Sequence, residues 1–261
     1  MKPFIVILGA MGFGLSTLFA TPYYVATNGL DANDGLGWAT PKKTVQAAVA
    51  LAVNNGDEVW VSNGTYTLTS VISLTNAITV RSANGRELTL LAGNGGQRIF
   101  SVTHPGAVID GFTISNGYSG ANGGGVNLQG GTLQNSLITC CRAPGWACKG
   151  AGVWMANARM FNCTISSNGP THTGAGVALT ATSIVENCII ENNLGNYSGG
   201  GANLTLNSVI RNSIIRNNRL GRVPDYSGYG GGVDGAGTLE NCLIINNYSP
   251  NMAGGASLGA G

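Results

Sequence analysis

The sequence predicts an all-β fold, a right-handed parallel β-helix (solenoid) with a short N-terminal capping helix, and two repeated blocks carry that prediction. A glycine block recurs as GGGVNL, GAGVWM, GAGVAL, GGGANL, GGGVDG and AGGASL, at spacings of 27, 24, 25, 31 and 23 residues. An asparagine block such as ENCIIENN follows each of the first five copies. One unit cannot bury an apolar face alone, but stacked units can. A propeller needs blades of about 40 residues, and the leucine spacing of a leucine-rich repeat is absent.

Residues 1–20 are predicted to be a secretory signal peptide. They begin with Lys2, continue through an apolar stretch and end at Ala20, before the polar segment TPYY, which is the pattern of such peptides. A single membrane anchor is the alternative, although no basic stop-transfer flank follows. No later stretch is long and apolar enough to span a bilayer. The sequence therefore predicts an exported mature chain without a membrane span.

Residues 21–66 are predicted to form an N-terminal cap with one helix and the first strand. In TVQAAVALAVNNG, Thr44 is a suitable N-cap and Gly56 a suitable C-cap for the helix,. EVWVSNGTYTL then alternates like a strand. Residues 67–261 form the coils, with clear repeats of about 25 residues from residue 108. The sixth glycine block ends without a completing strand or cap, so we expect the sequence to be a fragment of a longer chain. A C-terminal anchor is one of the segments that the missing part can contain.

Composition excludes several classes of protein. Among 261 residues there are 42 glycines, 9% charged residues and a net charge of +2. The chain is too apolar to be disordered and too poor in proline to be collagen-like. A charge this small provides no basic patch for nucleic acid, so nucleic acid is not a predicted partner.

The N-terminal cap and the repeats resemble a known superfamily. YYVATNGLDANDGLGWATPKKTVQAAV followed by GDEVWVSNGTY resembles the cap of secreted bacterial right-handed β-helix proteins of the pectate-lyase-like superfamily. The repeats NGGGVNL and LENCLIINN resemble those of polymorphic outer membrane proteins and related surface proteins. The resemblance implies a bacterial protein that is secreted or lies at the cell surface or outer membrane. The resemblance also implies two kinds of enzyme. Lyases of this fold use an acidic cluster that binds calcium together with a Lys or Arg base, whereas hydrolases use paired carboxylates.

Few carboxylates in the coils are free to be catalytic. Glu186, Glu191 and Glu240 fall in columns that also contain arginines, where opposite charges stabilise neighbouring strands,. Asp110 shares a column with Glu186, but two other residues separate them. Asp225 and Asp234 can approach each other and are the catalytic candidates that remain. His104 and His172 are single residues in different loops and are interpreted as solvated.

Metal and disulfide candidates are few. The segment DANDG offers Asp31, Asn33 and Asp34 as calcium ligands,, although a turn of this composition needs no metal; no other cofactor is predicted. Cys163, Cys188 and Cys242 share a column of small residues and are predicted to be buried thiols. A disulfide is predicted between Cys148 and Cys140 or Cys141, with Cys141–Cys148 preferred.

The insertions between the asparagine turn and the next glycine block all emerge on one side of the predicted solenoid. Insertions that share a face mark a binding face in many repeat proteins. Six aromatic residues are the predicted ligand contacts: Tyr118, Trp146, Tyr197, Tyr226, Tyr229 and Tyr248. The alternative is that each ring only packs its own loop onto the coil.

Two functions remain open on the sequence. The first is a non-catalytic, adhesin-like surface or extracellular protein whose loops contact a polysaccharide or cell-surface glycan. The second is a polysaccharide lyase or glycoside hydrolase that acts on acidic polysaccharide.

Overall fold

The predicted fold class is confirmed by the computed structural model, which describes residues 20–221, 229–250 and 252–259. The chain winds as a right-handed parallel β-solenoid, and each complete coil contributes one strand to each of three parallel sheets. Residues 1–19 of the predicted signal peptide lie outside the described residues, as do Asp225 and Tyr226. Within the described residues, no helix has the length and apolar character needed to cross a membrane.

The three sheets run side by side along the solenoid axis and comprise the following strands of the described residues. Sheet 1 contains Pro22–Val25, Glu58–Val61, Thr79–Ser82, Val108–Asp110, Thr132–Gln134, Arg159–Phe161, Ile184–Glu186, Val209–Arg211 and Thr238–Glu240. Sheet 2 contains Gly64–Leu68, Thr89–Gly93, Thr113–Ser115, Leu137–Thr139, Thr164–Ser166, Ile189–Glu191, Ile214–Arg216 and Leu243–Ile245. Sheet 3 contains Ile72–Leu74, Phe100–Val102, Val126–Gln129, Val153–Ala156, Val177–Thr180, Ala202–Leu204, Val233–Gly235 and Ala256–Leu258. A fourth, two-stranded sheet pairs Leu194–Gly195 with Arg219–Leu220.

The core is a continuous column because the strands pair without a register shift. In sheet 2, for example, Ile138 pairs with Ile114 on one side and Ile165 on the other. All three side chains are fully buried and belong to one cluster that extends from Val25 to Val233. Their strand neighbours point outward, since side chains alternate along a strand.

The corners after sheets 1 and 2 each use one residue in the left-handed conformation. At the corner from sheet 1 to sheet 2, these residues have φ between 48° and 54°: Asn135, Asn162, Asn187, Asn212 and Asn241. At the corner after sheet 2, φ is between 54° and 57°: Asn116, Cys140, Ser167, Asn192, Asn217 and Asn246. Asparagine adopts this conformation more readily than most residues, which explains its recurrence.

A ladder of buried asparagines runs inside the second corner. The side-chain oxygen of Asn193 accepts hydrogen bonds from the backbone and side-chain amides of Asn168, at 2.9 and 3.1 Å. The side chain of Asn193 in turn donates to Asn218 and to the carbonyl of Ile165. Asn247 extends the ladder by accepting from Asn218. These side chains satisfy backbone groups that the turn leaves unpaired in the interior.

The N-terminal helix is present but shorter than predicted. It spans Val45–Val49, and its N-cap Thr44 accepts a hydrogen bond from the backbone of Ala47 at 3.2 Å. It ends at Ala50 rather than near Gly56, and it packs Val45 and Ala48 against the core.

The edge of sheet 1 is covered by a loop instead of the helix. Tyr24 donates to the carbonyl of Gly35 at 2.7 Å, and its own carbonyl accepts from Lys42 at 2.8 Å. Because these bonds occupy the edge of Pro22–Val25, another strand cannot pair there.

Two of the three predicted glutamates in the charged columns form ion pairs, whereas Glu240, beside Arg211 in register, is in none of the ion pairs of the described residues. Arg211 contacts Glu186 at 2.9 Å, and Arg216 contacts Glu191 at 2.8 Å. Asp110 contacts Arg81 at 3.8 Å and has no carboxylate on the adjacent strands of its column. Glu186, Glu191 and Asp110 are thus engaged in structural ion pairs on sheets 1 and 2.

Candidate functional site

The connections between sheet 2 and sheet 3 form one surface, which we call the loop face, and from residue 116 onward they are the longest connections of the coils. Its described residues are 94–99, 116–125, 140–152, 167–176, 192–201, 217–221, 229–232, 246–250 and 252–255. The connections run alongside each other on successive coils, for example through bridges that link Lys149 to Thr173 and Thr173 to Ser198. The loop face is therefore a semi-regular surface parallel to the solenoid axis.

An open groove of about 740 Å³ crosses the N-terminal part of the loop face. Asn94, Asn116 and Ser167 provide polar groups, and Tyr118 and Arg142 provide an aromatic ring and a cation. No carboxylate is among the described residues that line it. The groove therefore combines polar groups, a cation and an aromatic ring, which together suit a polar, anionic ligand with a flat apolar face.

A row of aromatic rings lies on the next coils. The centroid of the His172 ring is 5.0 Å from that of Trp146 and 4.8 Å from that of Tyr197, with the last two rings nearly parallel at 5°. Trp146 is 73% exposed. Trp146 and Tyr197 are predicted contacts, and the structure brings them together around His172. Rings here contact rings of neighbouring loops, so they do more than pack their own loop.

His172 is the member of this row that sequence reasoning missed. Taken alone, it reads as a solvated loop residue. The available signal is its spacing, because it lies 26 residues after Trp146 and 25 residues before Tyr197, which is the repeat length. Burial, followed by the charge of Lys149, lowers the pKa of His172.

Tyr118 and Tyr248 belong to a different part of the surface. The backbone of Tyr118 bridges to Arg142, and that of Tyr248 bridges to Arg219. Both rings follow the second corner directly, but on coils at opposite ends of the repeat region. Ser198 bridges to Tyr229, which places Tyr229 one coil beyond Tyr197. The predicted aromatic contacts that the structure describes therefore form a long strip rather than one site.

The charged side chains of the described loop face all have one sign. Its described residues include four permanently basic side chains and no aspartate or glutamate: Arg98, Arg142, Lys149 and Arg219. The five ion pairs of the described residues involve none of these four. Arg98 donates to the hydroxyl of Ser119 at 2.7 Å, and burial lowers its pKa. Among the described residues, the acidic side chains thus lie outside the loop face, and no carboxylate of the described loop face neutralises these four charges.

Asp234 is the catalytic candidate that the structure describes. It lies on the strand Val233–Gly235 of sheet 3, beside Asn203 on the preceding coil. Burial raises the pKa of its carboxyl, while hydrogen bonds from Ser198 and Ser257 act in the opposite direction. Since Asp225 lies outside the described residues, the predicted pair stays a prediction.

The acidic turn of the N-terminal cap has internal partners for its oxygens. The carboxylate of Asp31 accepts from the backbone amides of Lys43 and Thr44 at 2.9 and 2.8 Å. Asp34 accepts from Thr40 at 2.6 Å, and the side-chain nitrogen of Asn33 donates to Pro41. Among the described residues, no group of three or more His, Cys, Asp or Glu is placed to hold a metal ion. Calcium binding stays a prediction.

The predicted disulfide between Cys141 and Cys148 is not formed in the structure, in which all six cysteines are free thiols. Cys141 occupies the inward position of the asparagine ladder, and its backbone amide donates to Asn168 at 3.0 Å. Burial raises the pKa of its thiol to about 12. The two sulfurs instead donate to different carbonyls, those of Thr139 and Gly120. Cys163 and Cys188 are buried as predicted, whereas Cys242, on a coil near the C-terminal end of the described solenoid, is only partly buried.

Comparisons with known proteins agree with this architecture. Residues 90–260 match the family model described as "Right handed beta helix region", whereas no curated protein sequence matches. Among solved structures, pectate lyase Pel9A has a TM-score of 0.65 at 20% identity, covering 88% of this chain and 65% of its own. Pectin methylesterase PemA from Erwinia chrysanthemi has a TM-score of 0.51 at 13% identity, covering 82% and 70%. The pectin methylesterase from Aspergillus niger has a TM-score of 0.50 at 11% identity, covering 91% and 92%.

This chain therefore spans less than two thirds of the length of pectate lyase Pel9A. At these identities, the structural likenesses establish the fold. The family match covers well over half of the chain. The protein belongs to the right-handed β-helix family.

Proposed function

We propose that this protein is an exported bacterial surface or extracellular protein that binds acidic polysaccharide on its loop face, without itself cleaving the chain. The observation that carries the proposal is the segregation of charge: the described loop face has four basic side chains and no carboxylate. Two proteins of similar fold are named for pectate and pectin, which supports polygalacturonate as the first ligand to test. Export rests on the pattern of residues 1–20,.

The shape of the loop face suits an extended chain. Successive coils are about 4.8 Å apart, so equivalent side chains recur at short, regular intervals along the axis. Arg142 of the groove and Trp146 of the aromatic row lie on the same loop, 140–152. Aromatic rings provide flat apolar contact, and arginine pairs with carboxylates through two parallel hydrogen bonds. A polysaccharide along the axis would contact both.

Replacing Arg142 with Ala tests the role of charge. Arg142 is exposed and lines the groove, so we expect about fivefold to tenfold weaker binding of polygalacturonate, without loss of stability. The difference should shrink at high salt, because exposed charges are screened. Isothermal titration calorimetry at two salt concentrations measures both effects.

Arg216→Ala is the matched control, because it removes the same charge from the outer face of sheet 2. Equal weakening by the two variants would contradict a specific site on the loop face. Binding of neutral dextran as strongly as polygalacturonate would contradict the selection of acidic ligands.

The second candidate function is a polysaccharide lyase or glycoside hydrolase, and Asp234 is the observation that favours it. Its half-buried carboxyl has a raised pKa and lies on the sheet next to the loop face, and such carboxyls serve as general acids. Under this candidate, Asp234→Asn should reduce turnover of polygalacturonate by about a hundredfold or more while leaving binding intact.

Turnover is measured by new reducing ends and by ultraviolet absorbance of unsaturated products. Asp110→Asn is the control, because Asp110 lies on sheet 1 and contacts Arg81. The enzyme candidate is eliminated if the unsubstituted protein produces neither signal.

A further inference from the structure

The aromatic row places an imidazole between two rings on the loop face. The ring of His172 stacks on that of Tyr197 and is tilted by 52° against that of Trp146. Within the described residues, neither of its nitrogens makes a hydrogen bond, whereas Nδ1 of His104 accepts one from Gly106 at 3.0 Å. Since the Tyr197 ring covers one face of the His172 ring and the tilted Trp146 ring packs against it as well, the edge of the imidazole, with both nitrogens, is the part left for a ligand.

The groups packed around His172 are neutral or basic. From loop 140–152 come the indole of Trp146 and the charge of Lys149, and from loop 192–201 comes the neutral ring of Tyr197. On its own loop, the buried neighbours Thr171 and Thr173 are uncharged. An imidazolium formed here would therefore have no described carboxylate to neutralise it and would be available to an external anion.

We propose that His172 is a pH-dependent binding residue of the loop face, whose imidazolium pairs with a carboxylate of the bound acidic polysaccharide. The inference rests on the proposed function and deepens it. Arg142 and Lys149 provide permanent positive charge, and His172 is a further contact that binds only when its ring is protonated.

The direction of the pH effect follows from linkage. Burial and Lys149 hold the pKa of His172 below its usual value in the free protein, so the ring is mainly neutral at pH 7. A bound anion favours the imidazolium, so binding takes up a proton and must tighten as the pH falls. Carboxylates with a pKa of about 4 stay ionised at about pH 5.5, so the ligand keeps its charge.

The test compares affinity for polygalacturonate at about pH 7 and about pH 5.5, at constant ionic strength. We expect about fivefold tighter binding at the lower pH. Linkage limits this increase in affinity to about tenfold for each unit by which the ligand raises the pKa of His172. Dextran sulfate distinguishes carboxylate recognition from general anion binding, and dextran is the neutral reference. A His172→Phe variant keeps a stacking ring without a titratable group, and His104→Gln is the matched control.

We expect His172→Phe to lose the pH dependence of binding and to keep its affinity at pH 7 within about twofold. His104→Gln should behave like the unsubstituted protein. In nuclear magnetic resonance titrations, polygalacturonate should raise the pKa of His172. An equal pH response in His172→Phe would overturn the inference, as would binding that does not depend on pH. Those results leave the proposed function standing, whereas failure to bind any acidic polysaccharide at either pH rejects both.

Discussion

Replacing Asn193 with Ala is expected to lower the free energy of unfolding by about 3 to 5 kcal/mol. Asn193 is fully buried, and its side chain bonds to the coil on either side. Alanine leaves the backbone amide of Asn168 without its acceptor and the carbonyl of Ile165 without its side-chain donor. Each buried group left unpaired costs about 1 to 3 kcal/mol, and the vacated space adds to the loss.

Urea unfolding followed by circular dichroism measures this loss. Asn192→Gly is the matched control, because Asn192 is exposed and has a φ of 56°, which glycine adopts without strain. We expect the control to change stability by less than about 1 kcal/mol. If both variants unfold at the same urea concentration, the buried ladder does not stabilise the fold.

Replacing Gly201 with Ala is expected to destabilise the protein by about 2 to 4 kcal/mol. A Cβ atom at this position would lie 2.7 Å from the carbonyl oxygen of Gly232 and 2.8 Å from the side-chain nitrogen of Asn218. The first neighbour is backbone of the next coil, and the second belongs to the asparagine ladder, so neither can move without breaking hydrogen bonds. The strain is steric and does not arise from the φ of Gly201.

Gly120→Ala is the control, because no atom lies within 4 Å of the Cβ that it would add. Thermal unfolding of the two variants should therefore differ clearly, with the control close to the unsubstituted protein. A Gly201→Ala protein as stable as the control would show that the coils can separate locally at no cost.

The third glycine of each triplet illustrates how far sequence reasoning reaches. The repeats indicate a corner that needs glycine, and the first glycine of the triplet at Gly199 does have a positive φ of 57°. The third has another reason, namely the close approach of the next coil. A repeat shows that a position requires glycine. The tertiary structure is needed to tell whether the reason is the backbone conformation or a lack of space for a side chain.

The cysteines and the candidate site show where the sequence misleads. Cys141 and Cys148 are close in sequence, yet the first replaces an asparagine of the inward ladder and the second packs in a small separate cluster with Ala143 and Ala151. His172 is a single residue in the sequence, although its ring contacts rings from two other loops. Sequence distance does not measure proximity in a solenoid, where residues one coil apart are neighbours.

By itself, the sequence determined the solenoid, its columns of like residues and the charge pairs of its outer faces. The physical reason is that stacking repeats in register brings equivalent positions together, so the period alone states which residues meet. Only the tertiary structure decided which loop residues meet, since insertions of unequal length break the period. It collected Trp146, His172 and Tyr197 into one row and left Tyr118 and Tyr248 on separate coils. It also determined which cysteine faces the core, because that depends on the one residue that turns each corner.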